Sequence, residues 1–408
     1  MNTAGAASTP ALRALPVSPG DIGATSRKWY TITVSLRESY DDNPNTTAQN
    51  TQTAYETSLT PSLLVDFPMV DGGFTGAFSG NATYYDYVKS SPSTVNGGGA
   101  AYPSSLQYNG EANGQFSHQF SDRFQLSLSD DLKYYTDPDF FQSVGTYYQN
   151  GPYINNLFGG TFTAQWTPLI GTSTSYNNTV VHYFENLVGQ SQDSEQNTFT
   201  QGLSFAILPK ISLNFGGTYD DIEYNAGTRG YTSYTGYTGL TWVALPSLTL
   251  SGSLGGTYTE TSQATTNEGT NPTSQVSPYA NVSLGWTLGA KSSLSFSYSH
   301  AITPAQDGIS DGQESDRASV SFNYQVSPDI STHLTGIYTL ASVTPALASD
   351  ATQLPYSDTS FGIDTGISYT INGYLSADFN YTVTDVSSQI QAFNYTRNQV
   401  SFGIRGTY

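Results

Sequence analysis

From residue 29 onward the chain alternates apolar and polar side chains one for one, in segment after segment. Tyr30, Ile32, Val34 and Leu36 alternate with Thr31, Thr33, Ser35 and Arg37, and Phe124, Leu126 and Leu128 with Gln125, Ser127 and Ser129. The pattern recurs at Ala318, Val320, Phe322 and Tyr324, and again at Leu375, Ala377, Phe379 and Tyr381. Successive side chains leave a strand on opposite sides, so a period of two predicts strands with one apolar and one polar face. About 18 such segments are present, a number open by two because Asn177 to Leu187 and Thr228 to Ala244 alternate less cleanly.

The connectors between segments are of two kinds in strict succession. Short turns fall at Pro68 to Gly72, Ser121 to Arg123, Pro168 to Gly171, Leu208 to Lys210, Ala244 to Pro246, Gly289 to Lys291, Ser327 to Asp329 and Asn372 to Gly373. Between them lie longer connections rich in Asp, Asn and Gly, such as Asp41 to Asn50, Ser90 to Ala101, Thr261 to Pro272 and Ala305 to Glu314. One end of the molecule is therefore tight and the other elaborate, the asymmetry of barrels that cross a membrane in segments of about 10 residues.

Composition narrows the choice further. Only 11% of the 408 residues are charged and 37% hydrophobic, both below the usual share for a soluble domain, while 13% are aromatic. That aromatic content with so few charges disfavours a disordered chain. No stretch approaches the run of about 20 apolar residues that a spanning helix requires. In hydrocarbon every backbone donor and acceptor must be paired internally, so strands survive there only as a closed sheet. The expected fold is all-β: a closed antiparallel transmembrane β-barrel of about 18 strands, with short periplasmic turns and long extracellular loops. A low hydrophobic share suits it, because only one face of each strand meets lipid and the other lines water.

A net charge of -19 argues against nucleic acid as a partner, since nothing neutralises phosphates. The absence of cysteine excludes disulfides and thiolate chemistry and suits an extracytoplasmic compartment. Met1 to Thr25 is rich in Ala and Pro and lacks a basic stretch followed by an apolar one. It reads as a mature end from which any signal peptide has been removed. Residues 1–28 are expected to form a flexible periplasmic tail, and 29–408 the barrel.

Tyr84, Tyr134, Tyr219, Tyr258, Tyr298, Tyr338 and Tyr381 come near the loop-side ends of their strands, as a girdle at the membrane interface requires. The pairs Gly159-Gly160, Gly216-Gly217 and Gly255-Gly256 precede threonine but open no helix and lack a following Lys. They signal sheet curvature or close packing rather than a phosphate loop. Of the four histidines, His118 and His300 share parity with apolar neighbours and His333 with the polar face. None has metal or triad spacing, and the chain is read as no enzyme, with no cofactor.

The run Asp307, Asp311, Glu314, Asp316 clusters carboxylates in one long connection, but its spacing departs from the EF-hand loop. A solvated acidic loop is the favoured reading over a calcium site, and the same holds for Asp41-Asp42-Asn43 and Asp220-Asp221. Charges on the polar face are more telling, because a water-filled pore uses them to set selectivity. Arg37, Asp66, Lys133, Arg317, Asp364, Asp378, Arg397 and Arg405 fall there and are the predicted channel lining. Asp378 and Arg405 are expected to face one another on adjacent strands.

The final segment carries Val400, Phe402, Ile404, Gly406 and Tyr408 on one face. Here the chain resembles bacterial outer-membrane β-barrels, whose last strand commonly ends in an aromatic residue. The resemblance implies that Phe402, Ile404 and Tyr408 form a signal read by the barrel assembly machinery. Ser35 to Pro44, Ser-Leu-Arg-Glu-Ser-Tyr-Asp-Asp-Asn-Pro, is similar to the opening strand and loop of β-barrel porins, including those found beside exopolysaccharide gene clusters. Together these place the chain in the bacterial outer membrane, in contact with its lipids. The expected function is a porin for small hydrophilic solutes or ions, mildly cation-selective. The alternative is a sheath or export conduit whose lumen holds a partner protein or exported polymer. Self-association as a homo-oligomer is a further expectation, and an extracellular adhesin is disfavoured by the turn asymmetry and the aromatic end.

Overall fold

The computed structural model describes residues 28–44, 46, 48–49, 51–69, 71–88, 106–136, 152–184, 193–224, 229–263, 273–304, 312–343, 356–391 and 394–408. Residues 1–27 of the expected tail over 1–28 lie outside them. Eighteen strands follow one another: β1 (Tyr30–Asp41), β2 (Ala54–Met69), β3 (Gly72–Tyr87), β4 (Leu106–Ser121), β5 (Phe124–Tyr135) and β6 (Tyr153–Gln165). Next come β7 (Ile170–Tyr183), β8 (Ser194–Leu208), β9 (Ile211–Tyr224), β10 (Arg229–Leu245), β11 (Leu248–Gln263) and β12 (Thr273–Thr287). The last are β13 (Ser292–Pro304), β14 (Gly312–Ser327), β15 (Ile330–Val343), β16 (Tyr356–Asn372), β17 (Leu375–Ser388) and β18 (Tyr395–Thr407).

Each strand pairs antiparallel with its sequence neighbours, and β1 pairs with β18, so the sheet closes with no free edge. Closure leaves no strand with an edge to be paired by water, as a bilayer demands. The two segments of unclear alternation, β7 and β10, are complete strands paired on both sides. Asn178 and Asn197 on β7 and β8 explain the blurred pattern: they carry amides on the outer face and bond one another at 2.9 Å. All eight predicted short turns join adjacent strands at one end. The sole described non-glycine residue with positive φ is Thr46, in the first long connection.

The register separates the faces. Outside, Ile32, Val34, Leu36, Phe296, Val320, Leu334, Phe379, Phe402 and Ile404 are exposed, as large apolar side chains are only when another apolar phase covers them. The predicted tyrosine girdle is on this face; Tyr234 sits in register between Tyr219 and Tyr258, extending it across β9 to β11. A second girdle rings the short-turn end. All four tryptophans, Trp29, Trp166, Trp242 and Trp286, are exposed there, with Trp29 stacked on Phe67 at 5.3 Å and Phe124 edge-on to Trp166 at 5.6 Å. The signal was available in sequence, because three of the four come just before a short turn.

One seam is shorter than the rest. The β12–β13 register runs only from Ala280↔His300 to Thr287↔Ser293, although β12 continues along β11 to Thr273 and β13 along β14 to Pro304. Pro278, which has no N–H to donate, lies just beyond the parting.

Candidate functional site

The inner face is built from every second residue of all 18 strands. All eight residues assigned to the channel lining by parity fall on it. Asp66 pairs in register with Thr75, Lys133 with Glu111 and Asn155, Arg317 with Ser299 and Thr339, and Asp364 with Thr335 and Thr382.

The structure corrects the expected Asp378–Arg405 pair. Asp378 is opposite Gly403 on β18, and Gly403 is opposite Arg37 on β1. With no side chain at Gly403, Arg37 reaches over β18 and its Nη2 meets Asp378 Oδ2 at 2.8 Å. A Cβ at Gly403 would stand 2.9 Å from Asp378 Oδ1, so glycine there is a requirement of the pair. Arg405 instead lies beside Ser376 and Ser35, its Nε buried without a hydrogen-bond partner among the described residues. Sequence parity placed these side chains on the right face; which ones meet depends on a diagonal reach that parity does not contain.

Around this pair a polar network covers the wall from β15 to β18. His333 Nε2 and Asp364 Oδ1 are 2.8 Å apart, the Thr382 hydroxyl donates to Asp364 Oδ2 at 2.8 Å, and the Asn380 amide donates to Asp378 Oδ2 at 2.8 Å. His333 and Asn380 crowd above Gly366, another glycine that makes room for neighbours. Farther round, Lys133 Nζ is 3.0 Å from Asp131, and Arg37, Glu56 and Glu111 border one open recess.

Asp41-Asp42-Asn43, read as a solvated loop, is a clasp across the closing seam. Fully buried Asp41 holds both the Nε and Nη2 of Arg397 on Oδ2, at 2.7 and 2.6 Å, while its Oδ1 accepts the Asn43 N–H at 2.9 Å. Asp42 accepts the backbone and side-chain N–H groups of Asn398, both at 2.7 Å. Arg397 is thereby committed to β1 as well as to the inner face.

The acidic run is also corrected. Glu314 and Asp316 are strand residues of β14 with outward parity; Asp307 and Asp311 lie outside the described residues. Asp316 and Glu314 bond the two nitrogens of His300, at 2.9 and 3.1 Å, and Ser277 donates to the same Glu314 oxygen. Their charges read as a loop because they sit above the apolar belt, beside the parted β12–β13 seam. Asp220 and Asp221 are also strand residues, and they point to opposite faces: Asp220 accepts from Thr198 at 2.6 Å and Asp221 from Thr232 at 2.7 Å. Among the described residues no group of three or more His, Asp or Glu is arranged to hold a metal ion. His118 stacks on Phe116 and meets Phe120 edge-on, His182 contacts Asp193, and no histidine among the described residues bonds a serine hydroxyl.

The inner face also carries carboxylates outside the predicted lining, which parity in the sequence would locate: Asp41, Glu56, Glu111, Asp131, Asp220 and Asp358. With Asp66, Asp364 and Asp378 they outnumber the described inner cations Arg37, Lys133, Arg317, Arg397 and Arg405.

Comparison with known proteins agrees with this architecture at the C-terminal end. Residues 273–408 match the family described as Putative beta-barrel porin 2. The C-terminal third of this closed 18-stranded barrel is similar to that family. That match spans β12 to β18, about a third of the sequence, including the Arg317, Asp364, Asp378, Arg397 and Arg405 positions. No curated protein matches the chain. Among solved structures the barrel is similar to OccK2 (OpdF) of Pseudomonas aeruginosa, with 10% identity, a TM-score of 0.46 and coverage of 93% of this chain and 98% of that one. It is also similar to OccAB3 of Acinetobacter baumannii, with 14% identity, a TM-score of 0.43 and coverage of 93% and 99%.

Proposed function

We propose that this porin-type barrel is a passive pore for small hydrophilic solutes and ions with a mild preference for cations. The observation that carries the reading is the inner face: hydroxyls, amides and a surplus of carboxylates line a closed sheet of 18 strands. A barrel of that strand number encloses an aqueous channel unless something fills it. Several inner charges are neutralised locally, Arg37 by Asp378, Lys133 by Asp131 and Arg397 by Asp41, so the surplus biases permeation without closing it to anions.

The bias acts through the potential at the wall and is screened over about 10 Å at 0.1 M salt and about 3 Å at 1 M. The reversal potential across a tenfold KCl gradient tests it. The expected sign is that of potassium preference, shrinking as both solutions are made more concentrated. An anion-selective potential, or one that ignores ionic strength, overturns the cation assignment. Swelling of proteoliposomes in small neutral sugars tests the solute pathway independently of charge.

A further inference from the structure

The inner wall is not uniform around the barrel. Charges concentrate on β14 to β18 and β1 to β5. On the seven consecutive strands β7 to β13 the described inner side chains are mainly Ser, Thr, Asn, Gln and Gly, with Asp220 the one carboxylate. Asp220 is near the loop end and is held by Thr198, Gln196 and Tyr231.

At mid-height on this neutral arc stand two inward tyrosines, Tyr237 on β10 and Tyr279 on β12. The register runs Gly202, Gly216, Tyr237, Gly255, Tyr279 from β8 to β12. A Cβ at Gly216 would overlap the Tyr237 ring, so that ring leans across β9 and lies down on the bare backbone. Tyr279 follows beyond Gly255, its ring 5.6 Å from that of Tyr237 and inclined by 32°. This accounts for one glycine of the sequence pairs: Gly216 faces inward and makes a floor for the Tyr237 ring, Gly255 faces inward between the two tyrosines, and Gly217 and Gly256 face out.

Neutral hydroxyls flank the rings along the barrel axis. Thr235 and Thr257 bond each other at 2.8 Å on the loop side, and Ser251 and Ser283 at 2.6 Å on the turn side. Half-buried rings lying against a wall offer a flat apolar face, and the hydroxyl rungs offer donors and acceptors at neighbouring heights. A charged solute gains nothing from an arc without countercharge. A wholly apolar one would strip water from the hydroxyls without replacing it. The ligand class that meets both surfaces is a neutral polyhydroxylated chain, whose sugar rings have C–H faces for stacking and hydroxyl rims for hydrogen bonding.

We propose that the β7–β13 wall is a binding track for neutral saccharides, with Tyr237 and Tyr279 as its stacking platform. The proposal rests on the pore reading only in that the sugar must reach the lumen. The test uses the full chain, with cellohexaose as probe. In a planar bilayer the sugar is expected to interrupt the current reversibly. Y237A/Y279A should shorten the interruptions at least about tenfold while Y237F/Y279F keeps them, because the ring is retained. Heat-modifiable gel mobility establishes that each variant is folded.

Equal interruption times in wild type and Y237A/Y279A, or equal competition by a hexameric uronate, overturn the track. Saturation-transfer NMR on the detergent-solubilised barrel separates the two readings. Transfer to cellohexaose that is lost in Y237A/Y279A, from a barrel that never conducts, sustains the track and sinks the open pore. Conduction without interruption or transfer sustains the pore and sinks the track.

Discussion

Removing Arg397 should damage this barrel more than removing any other cation on its inner face. Asp41 has no accessible surface, and its Oδ2 receives both guanidinium nitrogens at 2.6 and 2.7 Å. In Arg397→Met the carboxylate stays buried with the Asn43 N–H as its remaining described donor, and β18 has lost its tether to the end of β1. Breaking a buried pair from one side costs about 3–5 kcal/mol, most of it the uncompensated charge. Asp41→Asn is gentler, because the Arg397 side chain retains 19% exposure and can turn to lumen water; the loss of charge-assisted bonding there is about 1.5–3 kcal/mol. The double variant removes both charges and should be destabilised by less than the sum of the singles. Urea unfolding of the barrel in lipid vesicles measures all three. A loss below about 1 kcal/mol for Arg397→Met, or additive losses in the double variant, would refute the clasp.

Other consequences can be measured with the same preparations. Asp378→Asn releases Arg37 and removes one inner carboxylate, so the reversal potential in a salt gradient should shift toward anions; an unchanged potential removes the pair from the selectivity account. Gly403→Val sets a Cβ 2.9 Å from Asp378 and parts it from Arg37 with no change of formal charge, so the reversal potential should stay close to that of wild type; a shift as large as that of Asp378→Asn would show that the pairing and not the carboxylate's charge sets selectivity. Val320→Arg, on the outer face, should cost about 2–4 kcal/mol in vesicles, the price of an arginine near the bilayer midplane. Ser319→Arg, one residue away on the inner face, should cost much less, and equal losses would contradict the assignment of faces.

Much of the architecture was legible because a strand has a period of two and each short turn is marked by Pro, Gly, Asn or Asp. Those local signals gave the strand number, the turn end, the tyrosine girdle and the face of each predicted lining charge. Contacts between strands were not legible, because they depend on register. Asp378 finds Arg37 rather than Arg405 because Gly403 opens a diagonal path across β18. Asp41 looked like one more solvated loop acid because its partner Arg397 comes from the far end of the chain. Glu314 and Asp316 were assigned to a loop because charge argues against a lipid-facing strand, an argument that lapses above the belt. The neutral arc of β7 to β13 required the inner residues of seven strands to be set side by side before its lack of charge became visible.

An open aqueous lumen is the property on which permeation depends, and single-channel recording of the purified full chain in a planar bilayer tests it most directly. Large, stable openings with mild potassium preference are the predicted result. A barrel that shows heat-modifiable mobility, and so is folded, yet gives no openings across a range of voltages and salt concentrations would contradict it.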